Sequence, residues 1–159
     1  MITKERWLGL IRISIGLVFL WAFFDKLFGL GLTTASDKSW LLGNSPTFGF
    51  LANSPKGPFA QIFKAMAGNA FIDWLFMIGL LVIGIGLTLG VAKKFSSYAG
   101  TVFLMLIWLA VLPPEHHPFL DEHVIYSMIL IYLANVKTAF SLEEKWQNSL
   151  VACKVKFLR

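Results

Sequence analysis

Four apolar runs dominate this chain: residues 7–24, 74–92, 98–112 and 124–136, the first interrupted by Arg12. In lipid every backbone N–H and C=O must be satisfied within its own segment or a closed barrel, so runs like these fold as spanning helices. Hydrophobic residues make up 57% of the 159 positions and charged ones 14%, whereas soluble domains carry about a quarter charged residues. No polar stretch is long enough for a second domain. The expected fold is an all-α membrane protein, a four-transmembrane-helix bundle over residues 1–140. A cytoplasmic amphipathic helix over 141–159 completes it.

Charge gives the orientation. With both termini in the cytoplasm, Lys4, Arg6, Arg12, Lys93, Lys94, Lys137, Lys145, Lys154, Lys156 and Arg159 lie inside, against Lys26, Lys38, Lys56 and Lys64 outside. Basic residues in short loops favour the cytoplasmic face. The acids Asp25, Asp37, Asp73, Glu115, Asp121 and Glu122 show the reverse bias. A multi-pass protein of the cytoplasmic membrane follows. The net charge of +5 is thus a topology signal rather than a nucleic-acid footprint. Lys4 and Arg6 precede a long apolar run followed by Asp25-Lys26, with no small-residue cleavage site, so a cleavable signal is not expected. The sole cysteine, Cys153, excludes an internal disulfide and any multi-cysteine metal or iron–sulfur site. No ligand set for haem is evident.

The densest chemistry is Pro113-Pro114-Glu115-His116-His117-Pro118-Phe119-Leu120-Asp121-Glu122-His123, which holds all three histidines and three acids between two uncharged runs. The run behind it has 13 residues, about 20 Å of helix, against a hydrocarbon core about 30 Å thick. A spanning helix must borrow from its flanks, placing Asp121, Glu122 and His123 at or below the interface. Ionisable groups at that depth are functional-site candidates. Glu122 and Tyr126 are one turn apart and share a face.

Bland readings stand beside this one. Asp121 and Glu122 suit a helix N-terminus and its dipole, and His116 and His117 suit a solvated loop. Two chemical readings compete with them. Histidine and carboxylate at an apolar–polar boundary can exchange protons with a quinone. Glu122 and His123 would then handle protons, while Asp25, Lys26, Glu115, His116, His117, Asp121 and Tyr126 shape the pocket. Alternatively Glu115, His116, His117, Asp121 and His123 hold zinc, copper or iron. Their spacing matches no metal motif, and the quinone reading ranks higher.

Elsewhere, Arg12 either reaches back to the headgroups or tethers a polar group on another span, such as Asn135. Asp25-Lys26 reads as an interfacial ion pair, of little energetic weight alone, on the same side as the histidine cluster. The connection over 29–73 is glycine- and proline-rich yet aromatic, and reads as a cap over the outer mouth, or as an ordinary interfacial hairpin without a functional role. A short helix over 59–66 is introduced by Pro58. Gly86-x-x-x-Gly90 points to close helix packing within the bundle, with a homodimer seam as the weaker alternative. Ser141-Leu-Glu-Glu144 carries a capping-box pattern. Leu142, Trp146, Leu150, Cys153 and Phe157 then form an apolar stripe suited to the anionic leaflet.

Taken together, Arg12…Gly16…Phe19-Leu20…Asp25-Lys26-Leu27…Gly29, Thr47-Phe48-Gly49-Phe50-Leu51, Gly79-Leu80…Gly84…Leu87…Gly90 and Leu112-Pro113-Pro114-Glu115…Asp121-Glu122-His123 resemble the DoxX/DoxD family. The resemblance runs from about Arg12 to Val136. It implies a four-span bundle in the cytoplasmic membrane and, from the family's namesake, a thiosulfate:quinone oxidoreductase subunit working with a smaller partner. The expectation is therefore a quinone-linked oxidoreductase subunit. The rivals are a non-catalytic membrane scaffold for a redox enzyme and a small-solute carrier.

Overall fold

A computed structural model describes residues 3–115 and 117–148. His116 and the amphipathic stripe beyond Asn148 lie outside the described residues. Those described are helical, without strands: α1 (Lys4–Phe28), α2 (Phe48–Asn53), α3 (Ala60–Ala65), α4 (Ala70–Leu89), α5 (Lys93–Ala110), α6 (Glu122–Ala134) and α7 (Glu143–Gln147). α1 and α4 are long and apolar enough to cross a membrane by length and composition. α6 is apolar but has 13 residues. α5 starts earlier than the third apolar run, and Lys93, Lys94, Ser96 and Ser97 make its first turns polar.

α1 packs on α4, α4 on α5 and α5 on α6, while α1 touches α6 only lightly. Glycine sets the closest approach. A Cβ at Gly16 would stand 2.5 Å from Thr88 Oγ1 and 2.7 Å from Thr88 N, and one at Gly84 would stand 2.7 Å from Leu20 Cγ. The backbones of α1 and α4 meet there with no room for a side chain, the arrangement small residues permit where water supplies little drive. Gly86 faces Ser96 of α5 in the same way, so the small residues of α4 serve contacts inside the bundle. Gly90 ends α4 in the left-handed conformation, φ +69°. The core is Phe19, Phe23, Met77, Leu80, Ile83, Leu87, Leu130 and Leu133. The outward faces of α1, α4, α5 and α6 also carry exposed apolar side chains, Val18, Trp21, Trp74, Ile78, Val102 and Met128 among them. Helices apolar on every side belong in a large core or in lipid.

Each end of the bundle is held by buried charge. Arg12 is 0% exposed. Its Nη1 donates to the Leu87 and Thr88 carbonyls, Nη2 to Ala139 O at 3.2 Å and Phe140 O at 2.7 Å, and Nε to Thr138 Oγ1 at 3.2 Å. Arg12 is therefore an interior tether rather than a side chain reaching outward. It does not pair with Asn135, which donates to Tyr98 Oη and Ile131 O. The last carbonyls of a helix lack intrahelical partners and favour a cation, which is what α4 presents to Arg12. Close by, buried Lys93 donates to Val136 O at 2.6 Å and pairs with Glu143 at 2.9 Å. These two cations grip a return segment, residues 136–143. It also bonds through Ala139 N to Glu5 O and Leu142 N to Leu89 O. Ser141 accepts from Glu143 N and donates to Gly90 O, so its hydroxyl ties this segment to α4 rather than capping α7 at Glu144 as the sequence pattern predicts.

At the opposite end two buried aspartates hold the connection over 29–69. Asp25, 1% exposed, accepts from Leu32 N, Thr33 N and Thr33 Oγ1. Asp73, in the first turn of α4, accepts from Ser45 Oγ at 2.8 Å and Thr47 Oγ1 at 2.5 Å. Trp40 packs edge-on against Trp74 with ring centres 4.7 Å apart, and Lys56 N bonds Ala110 O at the end of α5. The expected short helix after Pro58 is α3, preceded by a 3-10 turn at Gly57–Phe59. The connection thus folds as a cap over one end of the bundle, the end where α6 begins.

Candidate functional site

Because α6 is about half the length of α1 and barely meets it, the bundle leaves a seam along α1. The seam is a groove of about 510 Å³. α1 contributes its floor from Trp7 to Ala22, a rise of about 22 Å. Phe76 and Leu80 of α4, Phe103, Leu104 and Ile107 of α5, and Tyr126 and Ile129 of α6 form the walls. Phe103 stands edge-on to Phe19 at 5.7 Å and tilted against Phe76 at 5.1 Å, fixing the deepest part. Ser14, Tyr126 and the Trp7 indole bring the polar side-chain atoms of this lining.

Near the cap end of the groove stands a polar group of which Tyr126 is in the lining, while His123, Asp121 and Lys26 are outside it. Tyr126 is 38% exposed. His123 lies one turn earlier on α6, so the two share a face. His123 Nδ1 meets Asp121 Oδ2 at 2.8 Å, with both side chains largely buried. The other oxygen of Asp121 accepts from Val124 N at 3.2 Å. One carboxylate therefore caps α6 and orients the imidazole. Across the seam, half-buried Lys26 places Nζ 5.9 Å from the centre of the Phe76 ring, itself a groove wall. That distance is within cation–π range.

The other expected residues divide differently. Glu122, expected to be sunk beside a pocket, is exposed and outside the groove lining. As the first residue of α6 it can serve the positive helix end from solvent. Asp25 does not shape the mouth, because its oxygens are taken up by the cap. Glu115 pairs with Lys56 at 3.0 Å in solvent. His117 Nδ1 accepts from Phe119 N and Leu120 N and so orders the loop into α6. Arg12 is absent from the groove lining, its guanidinium being bound to the return segment.

Asp121, Glu122 and His123 offer ligand atoms within 4.8 Å of one another. Within the trio, Asp121 Oδ1 caps α6 and Oδ2 meets His123, while Glu122 is exposed. The sequence reading missed Phe76 and Ser14 as groove residues, and the structural roles of Asp73 and Lys93. A lone acid or lysine beside an otherwise apolar run was the available signal for the latter two. Searches of family models, of curated proteins and of solved structures find no match to this chain.

Proposed function

We propose that the chain is a quinone-linked membrane oxidoreductase subunit of the DoxX/DoxD type. In this reading α1, α4, α5 and α6 form a four-span bundle in the cytoplasmic membrane, with both termini cytoplasmic and the cap outside. Electrons come from a small sulfur compound such as thiosulfate, or through a partner subunit. The observation that carries the reading is the groove: apolar along its length, open toward the surrounding phase, and ending at Tyr126 beside the His123–Asp121 dyad. A bound quinone supplies two-electron redox chemistry coupled to two protons. Tyr126 O–H and the Lys26 ammonium would hold its carbonyl oxygens as hydrogen-bond donors. His123 holds or delivers a proton at Nε2, and Asp121 fixes the ring. Phe76, Phe103 and Ile107 exclude water. Glu122 has no part in proton handling.

The test is quinone retention by the purified protein, measured after solvent extraction. His123→Ala, Tyr126→Phe and Lys26→Met each weaken retention by about tenfold, the yield of one hydrogen bond involving a charged or well-oriented group, while Glu122→Gln retains quinone like the parent. Equal retention by all four variants refutes the site. Thiol labelling of single cysteines at Lys38 and Lys145 tests the orientation, with Lys38 expected to react from outside the cell.

A second reading has its own observation. Leu32, Leu41, Leu42 and Phe119 are each at least 65% exposed at the cap end. Exposed apolar groups on an otherwise pinned cap suit a docking face for a redox partner. A scaffold of that kind binds its partner and is indifferent to quinone.

A further inference from the structure

The groove's dimensions say what else it holds. At about 30 Å³ for a water-sized group, 510 Å³ accommodates about seventeen carbon-sized groups, or about three five-carbon isoprene units. A helix about 10 Å across and as long as the groove occupies about 1,700 Å³, so the space suits a single chain rather than a partner helix. Its lining is also uneven. Trp7, Phe19, Phe76, Phe103 and Tyr126 project rings into or along it, and the electropositive edges of aromatic rings favour electron-rich partners. The double bonds of a prenyl chain supply these, whereas a saturated acyl chain does not. Tyr126 stands at one end, with Lys26 over the Phe76 ring just outside the lining, and α1 alone lines the other from Trp7 to Ser14, where the Ser14 hydroxyl and the Trp7 indole are the polar groups.

We infer that the α1–α6 groove is a prenyl-chain site that measures about three isoprene units inward from the head group, with Ser14 midway along its floor and Trp7 at its far limit. This rests on the quinone reading. It adds that the first three units of the tail are specifically bound by the protein, the remainder lying in the lipid. A ligand with such a tail enters sideways through the seam.

The experiment is equilibrium binding of benzoquinones bearing zero to five isoprene units to the full chain in detergent, followed by quenching of tryptophan fluorescence. Affinity rises by about tenfold per unit, the ordinary yield of five heavy atoms in a well-fitted ligand, and levels off at about three units. Ser14→Trp, at an exposed position of the groove floor, moves the plateau to about two units and leaves the affinity of the tail-less quinone unchanged. Leu17→Phe, on a face outside the groove, changes neither. Saturated tails of equal carbon number bind at least several-fold more weakly. Binding that is independent of tail length, or a plateau unmoved by Ser14→Trp, overturns the inference and leaves the quinone site standing. Equal affinity of saturated tails assigns the groove to lipid acyl chains and also overturns it. Failure of every quinone to bind, at any tail length, overturns the quinone reading and the inference with it.

Discussion

Replacing Arg12 by methionine removes the guanidinium while keeping a similar apolar stem. The side chain is wholly buried and reaches five acceptors: Leu87 O, Thr88 O, Thr138 Oγ1, Ala139 O and Phe140 O. Hydrogen bonds between membrane helices average about 0.6 kcal/mol, so five give about 3 kcal/mol. Breaking a buried charged contact by removing one partner sets an upper figure of about 5 kcal/mol. For a chain of this size each kcal/mol corresponds to about 2–4 °C in Tm, which predicts a drop of about 6–20 °C for Arg12→Met in detergent. Arg12→Lys keeps the charge but lacks the planar fork that joins α4 to the return segment, and recovers less than half of the loss. Trypsin supplies a local reading: cleavage after Lys137 accelerates in Arg12→Met before the bundle melts. A variant that melts within about 2 °C of the parent, with Lys137 still protected, refutes the clamp and returns Arg12 to the headgroups.

Other expectations follow from the same contacts. Asp73→Ala leaves Ser45 and Thr47 without their acceptor, costs about 1–3 kcal/mol, and speeds trypsin cleavage after Lys56 and Lys64 by loosening their backbone, while α4 stays helical by circular dichroism. Gly16→Leu and Gly84→Leu force α1 from α4 and lower stability by about 1–3 kcal/mol or more through overpacking; unchanged SDS-titration midpoints refute the close approach. Lys93→Met destabilises more than Glu143→Gln, because Lys93 also holds Val136 O, and equal losses in thermal melts contradict that ranking.

The sequence made the main helices legible because an uncharged run of about a dozen residues or more has few alternatives. The start of α5 was harder to read. Lys93 and Lys94 look like a loop closing a span, yet lysine is a good helix former, and Lys93 is pulled inward by Val136 O and Glu143. The partners of Arg12 were illegible for a different reason: four of them are backbone carbonyls, which carry no residue signature. Asp25 and Asp73 found hydroxyl partners 8 and 26 positions away inside an irregular connection whose path no periodicity reports. At the site, the dyad of Asp121 and His123 lay in the expected stretch. The choice of His123 over its neighbour Glu122 depended on the exact phase at which α6 starts, since successive residues of a helix point about 100° apart. The groove itself could not be read from any one segment, because it arises from the unequal lengths of α1 and α6.

The grip of Arg12 on Thr138 and Phe140 spans 126 and 128 positions of sequence. During synthesis an arginine in the first helix emerges with donors that nothing yet made can satisfy, apart from the carbonyls of α4. It is obliged to wait for the fourth long helix and the few residues after it. A chain cut short before residue 140 lacks the Phe140 carbonyl that Arg12 Nη2 binds at 2.7 Å. The clamp therefore closes once the chain has been made through the return segment.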